Sequence, residues 1–233
     1  MSKTLPEQDT TASRLADAIV GDFLSTLIPG SGTIVQVLRE YKKSKLKEAH
    51  EILLEEIKSG NRVLGSNEAN DFVPIAYRYF KAAEEGATQR KLKLLAKFIR
   101  DEIETSTLDF DRFSRIEVGL DGLTTDELIC LAEFARTTRE FIHVLRKPLL
   151  LTNDDFDNIK NRLRASHPNR FMSDYKMLAS FALLSGKGWA IPLVMSVYGG
   201  STSPYYTPTN MVAEVMDVID ELDLTDTAAE SNE

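Results

Sequence analysis

The chain has 233 residues, 42% hydrophobic and 27% charged, with 28 Lys and Arg against 36 Asp and Glu for a net charge of -8. This length and balance suit one large or two small folded domains and exclude global disorder and a membrane-embedded class, while the acid excess repels nucleic acid unless cations are segregated. The single cysteine, Cys130, excludes an internal disulfide, and the mixed polar start MSKTLPEQDTTASRLADA lacks a signal pattern, so a reducing, cytoplasmic location is expected.

Leu15, Ile19, Phe23 and Leu27 recur at helical spacing, which predicts a first helix capped by Thr10, Thr11 or Ser13 and running to Ile28. Pro29 and Gly30 stop it. The surrounding stretch LSTLIPGSGTIVQVL admits three readings: a phosphate cradle, a membrane-entering hairpin, or a bend between packed helices. A phosphate loop requires glycines after a strand and a Lys-Ser/Thr end. Here Gly30 and Gly32 follow a helix, and the nearest downstream cation is Arg39. The bend is therefore preferred, with Thr33 capping the next helix. A membrane contact through residues 15–38, led by Phe23, Leu27 and Ile28, stays as an alternative, opposed by Asp17 and Asp22. The uncharged run from Phe23 to Leu38 is shorter than the roughly 20 residues of a spanning helix.

From Thr33 the spacing predicts a long helix to Ser59-Gly60, apolar along Ile34, Leu38, Tyr41, Ala49, Ile52, Leu53 and Ile57. A third helix starts near Asp71, tolerates Pro74 in its first turn, and buries Val73, Ala76, Tyr77, Phe80 and Ala83 before Gly86. A fourth turns Leu92, Leu95, Ile99 and Ile103 inward and leaves Lys91, Lys93, Lys97, Arg100, Asp101 and Glu104 solvated. Phe110, Phe113, Ile116 and Leu120 form a short helix ending near Gly119 to Gly122. Thr124 and Glu127 make a capping box for a helix through Leu128, Leu131, Ala132 and Ala135, which passes a weak point at Thr137-Thr138 into Phe141, Ile142 and Leu145. Thr152 or Asn153 caps another, with Asp154 and Asp155 in its first turn and Phe156, Ile159 and Leu163 inward. Ser173 caps the next, which stops at Gly186 or Gly188. Val194, Ser196, Tyr198, Tyr205 and Tyr206 flank Gly199-Gly200-Ser201 as a hairpin, and Thr207-Pro208 opens a last helix with Val212, Val215, Met216, Ile219 and Leu222.

The expected fold is mainly α: an N-terminal helical bundle over residues 1–106, a winged-helix-like module with a small β-hairpin over 107–223, and a disordered acidic tail over 224–233. No catalytic, cofactor or metal site is expected. His50, His143 and His167 lie far apart, Asp109 and Asp111 point away from each other on a helix, and no elbow motif surrounds a serine. A Cys130–His143 pair is set aside because Cys130 falls among core positions. Cations do gather in Lys160, Arg162, Arg164, Arg170 and Lys176, the candidate nucleic-acid contacts. The helix near 173–185 nevertheless offers few base-reading side chains, and the wing over 195–206 has no Lys or Arg. Protein binding is preferred to DNA reading, with Tyr198, Tyr205, Tyr206 and Trp189 as contact aromatics.

The block DFVPIAYRYFKAAEEGATQRKLKLLAKFIRDEI, followed by FSRIEVGLDGLTTDELICLAEF, resembles the middle of the abortive infection alpha family of bacterial phage-defence proteins, over roughly residues 70 to 136. It is carried by apolar spacing without a catalytic signature, so no functional residue transfers. The resemblance implies a role in phage defence by growth arrest or cell death. The expected function is that of a bacterial or phage helical interaction protein, not an enzyme, which binds a protein partner or a second copy of itself and no small-molecule substrate. A DNA-binding winged-helix regulator and a membrane-active effector are the alternatives.

Overall fold

The computed structural model describes residues 11–26, 33–65, 67–144, 151–193 and 204–220. Among these the chain is mainly helical. In order come α1 (Thr11–Thr26), α2 (Thr33–Ser59), α3 (Ala69–Glu84), α4 (Gln89–Thr105), α5 (Phe110–Leu120), α6 (Thr125–Arg139), a π-helical turn (Glu140–Val144), α7 (Asn153–Ser166) and α8 (Asp174–Gly186). Strands β1 (Ala190–Leu193) and β2 (Tyr205–Pro208) and helix α9 (Asn210–Asp220) complete it. Two compact units, residues 1–118 and 119–233, divide within α5, whereas the polar break in the sequence suggests 106/107.

In unit 1, α2 packs against α1, α3 and α4, and α1 also packs against α3. The buried positions of α2 begin at Leu46 and continue through Ala49, Ile52, Leu53 and Ile57. Leu38 and Tyr41, expected on the same inward face, are 51% exposed each. On α3 the inward face is rotated from the expected one. Phe72, Ile75, Ala76, Tyr79, Phe80 and Ala83 are buried, whereas Val73 and Tyr77 are not. This helix carries two apolar stripes, and the one with Phe72 and Tyr79 removes more aromatic area from water. Tyr79 is fully buried, and its hydroxyl donates to the Ala49 carbonyl at 3.0 Å, which satisfies its polar end. Burial pushes that phenol above its ordinary value. On α4, Leu92, Leu95, Ile99 and Ile103 are buried as expected, but so is Lys91, placed by the sequence on the solvated side.

In unit 2, α6 is central and packs against α7, α8 and α9. Thr124 and Glu127 form the expected capping box, and Thr152 with Asp155 forms a second one at α7. The weak point at Thr137-Thr138 appears as the passage from α-helix to the π-helical turn, with the Thr137 hydroxyl donating to the Glu133 carbonyl at 2.9 Å. Phe134, Phe156, Phe181 and Tyr206 form one aromatic cluster, with centroids 4.8 Å apart for Phe134–Phe181 and 5.0 Å for Phe156–Phe181. β1 and β2 are antiparallel, with Ala190 opposite Pro208 and Leu193 opposite Tyr205. The hairpin therefore starts earlier than Val194, while its tip at Gly199-Gly200 lies outside the described residues. Thr207 and Pro208 end β2 rather than opening α9, which starts at Asn210. Proline is tolerated there at the last position of a two-stranded edge. Gly119, expected to stop α5, is helical and buried. A Cβ on it would lie 2.8 Å from Trp189, whose indole N–H donates to the Gly119 carbonyl at 2.7 Å.

Candidate functional site

The second apolar stripe of α3 has a consequence for the surface. Val73, Pro74, Tyr77, Arg78 and Lys81, with Phe110 at the start of α5, line an open cleft of about 430 Å³ in unit 1. Val73 is 37% exposed, Tyr77 53% and Phe110 40%. Tyr77 is held in place by Phe23 of α1, whose ring centroid lies 4.9 Å away.

The cationic side of this cleft is built from a buried ion network. Arg78 Nε donates to Glu117 Oε2 at 3.1 Å, and Lys91 Nζ donates to Glu117 Oε1 at 2.9 Å. One carboxylate thus serves two cations, and Arg78 is fixed beside the apolar lining. Lys81 adds a second cation on the rim, 3.9 Å from Glu85. A related bracket fixes the α4–α5 connection. Glu102 Oε1 accepts from Arg112 at 2.7 Å and Glu102 Oε2 accepts the Asp109 backbone N–H at 3.0 Å. Burial raises the Glu102 carboxyl above its ordinary value, against the lowering effect of these donors and the Arg112 charge. Asp109 itself caps α5, accepting the backbone N–H groups of Asp111 and Arg112 at 2.9 and 3.0 Å. The cleft lining offers apolar contact, one phenol and two cations, which suits a peptide side chain better than a reacting bond.

The other candidates are distributed as follows. All five expected phosphate contacts are engaged with acceptors of their own unit. Lys160 lies 2.5 Å from Asp157, Arg162 meets Glu133 and donates to the Thr137 hydroxyl at 2.6 Å, and Arg164 meets Asp174. Asp126 holds both Arg170, at 3.1 Å, and Lys176, at 2.7 Å. Of the expected partner or membrane contacts, Phe23 is 7% exposed and belongs to the core, while Leu27, Ile28 and Tyr198 lie outside the described residues. Tyr205 is half-buried in β2, and Trp189 and Tyr206 are core residues. Cys130 is buried, and burial pushes its thiol well above the ordinary range; the side chain of His143 lies outside the described residues. His50 Nε2 sits 2.7 Å from Asp17 Oδ1. Among the described residues no group of three or more His, Cys, Asp or Glu is placed to hold a metal, and no helix is long and apolar enough to cross a membrane.

Tyr77 and Val73 were the residues that periodicity misassigned. A usable signal exists in the sequence, since α3 carries more apolar positions than one face of a helix can bury. No family model, curated protein or solved structure matches the chain.

Proposed function

We propose that this chain is a non-enzymatic interaction protein of bacterial phage defence, acting in the abortive-infection manner by engaging a protein partner through the cleft of unit 1. The observation that carries the reading is Tyr77, 53% exposed on a helix that buries its other large aromatics, next to exposed Val73 and Phe110. Exposed aromatic and aliphatic side chains flanked by a fixed arginine are the composition of protein-contact surfaces. The phage-defence part rests on the resemblance over roughly residues 70 to 136, the segment in which the α3 side of the cleft and Phe110 lie.

For unit 2, the order α6, α7, α8, β1, β2, α9 supports a winged-helix-like reading in which the hairpin is the wing. Its five candidate cations each engage a carboxylate, so a DNA backbone would have to displace those partners before gaining phosphate contacts. That favours a protein-binding wing over a DNA reader. The membrane alternative loses Phe23, which is packed against Tyr77 rather than available to lipid.

The test is phage plating on bacteria expressing the chain. Wild type lowers plaque counts, and the double variant Val73→Asp with Phe110→Ser restores them while the purified protein keeps its helical content. Unchanged plaque counts with the wild type, or equal protection by the variant, contradict the proposal.

A further inference from the structure

Helix α8 is apolar on both sides. Met177, Ser180, Phe181 and Leu184 face the core, where Phe181 packs on Phe134 and Phe156. At 100° per residue, Tyr175, Leu178, Ala179, Ala182, Leu183 and Gly186 fall together on the opposite side. Tyr175 is 84% exposed and Leu183 58%. A surface helix ordinarily turns charged or polar residues outward, and a helix apolar all round is one that something covers. Gly186 adds an independent sign. It lies in the last turn, where glycine weakens a helix, and a Cβ built on it meets nothing within 4 Å. The fold of the chain itself gives no reason for a glycine at that position.

We propose that this face is a self-association surface, on which two copies of the chain pair their α8 helices antiparallel about a two-fold axis passing between Ala179 and Ala182. The sequence of the helix matches its own reversed image in this one register. Tyr175 lies opposite Gly186, Leu178 opposite Leu183, and Ala179 opposite Ala182, so a large group meets a gap and small groups meet where the helices cross. Asp174, beside Arg164 in its own chain, lies opposite Lys187 of the second copy, and the opposed helix dipoles add to this charge match. A parallel pairing would instead stack Tyr175 on Tyr175 and Asp174 on Asp174. Two 13-residue helices supply less than the roughly 800 Å² per partner of a standard interface, which places the dimer in the weak, micromolar class.

The experiment uses the full chain. Sedimentation between about 1 and 100 µM gives a reversible monomer–dimer equilibrium, and Leu183→Asp, at an exposed position, weakens it about tenfold or more without loss of helical content. An equal mixture of Ala179→Cys and Ala182→Cys chains, mildly oxidised, forms a disulfide-linked dimer faster than either chain alone, because the register sets 179 against 182. Cys130 is buried and does not compete. A monomer throughout the range, or a dimer in which the 179–182 mixture has no advantage, overturns the proposal and leaves the face to a foreign protein.

Discussion

At the scale of single residues, the account turns on charges that are buried with a purpose. Glu117 joins Lys91 and Arg78, and the Lys91 side chain is only 7% exposed. Removing one member of such a network leaves an uncompensated charge in a site of low polarisability. Glu117→Gln is therefore expected to cost about 3 kcal/mol in urea unfolding, whereas replacing Lys91 and Glu117 together by Met and Leu recovers most of that loss. Additive losses in the double variant would contradict the pairing. Glu102 makes a pH-dependent prediction. Its carboxyl is raised in the folded state, so the stability it contributes is fully present below the ordinary carboxylate range and is lost as pH rises through the raised value. Glu102→Gln is expected to flatten that fall in denaturant titrations between mildly acidic and neutral pH; an unchanged slope would remove the burial argument. Lys91 and Glu117 were not legible as partners in the sequence, because they sit on different helices. Periodicity reports the face of a helix but not what the neighbouring helix brings to it.

At the scale of elements, local rules explain most of what was readable. Thr124 with Glu127 and Ser173 announce α6 and α8, and both caps are made by the named side chains. Thr124→Ala and Thr152→Ala are each expected to lower stability by about 1 kcal/mol, measured by thermal unfolding, with no change in fold. The exceptions share one cause. Gly119 reads as a helix stop, but it is kept by the approach of Trp189 from a distant segment, and only the tertiary fold brings that ring to it. Gly119→Ala should accordingly destabilise by about 1 to 3 kcal/mol, although alanine is the better helix former. A gain in stability would show that the contact relaxes freely. Pro208 misleads for a similar reason: Thr-Pro is a helix-start signal, but the pairing of Ala190 with Pro208 holds it in β2. On α3 two apolar stripes compete, and spacing alone does not say which one the rest of unit 1 will cover.

At the scale of the whole molecule, two surfaces remain after burial has accounted for the greasy positions: the cleft around Tyr77 in unit 1 and the outer face of α8 in unit 2. Neither carries a reacting cluster among the described residues, and both have the composition of contact surfaces. The cleft was visible in the sequence only as an excess of apolar residues on α3, and its edge at Phe110 only through the fold. The cation group in unit 2 was visible, but its carboxylate partners were not, since Asp126 and Glu133 reach it from another helix. The claim that the cleft contacts a protein is tested most directly by photo-crosslinking in infected bacteria. A photoreactive residue is placed at Val73, with Glu55, exposed on α2, as control. Position 73 is expected to give a discrete protein adduct that position 55 does not give and that Tyr77→Asp abolishes. Adducts equal at the two positions, or none at 73, would contradict the account.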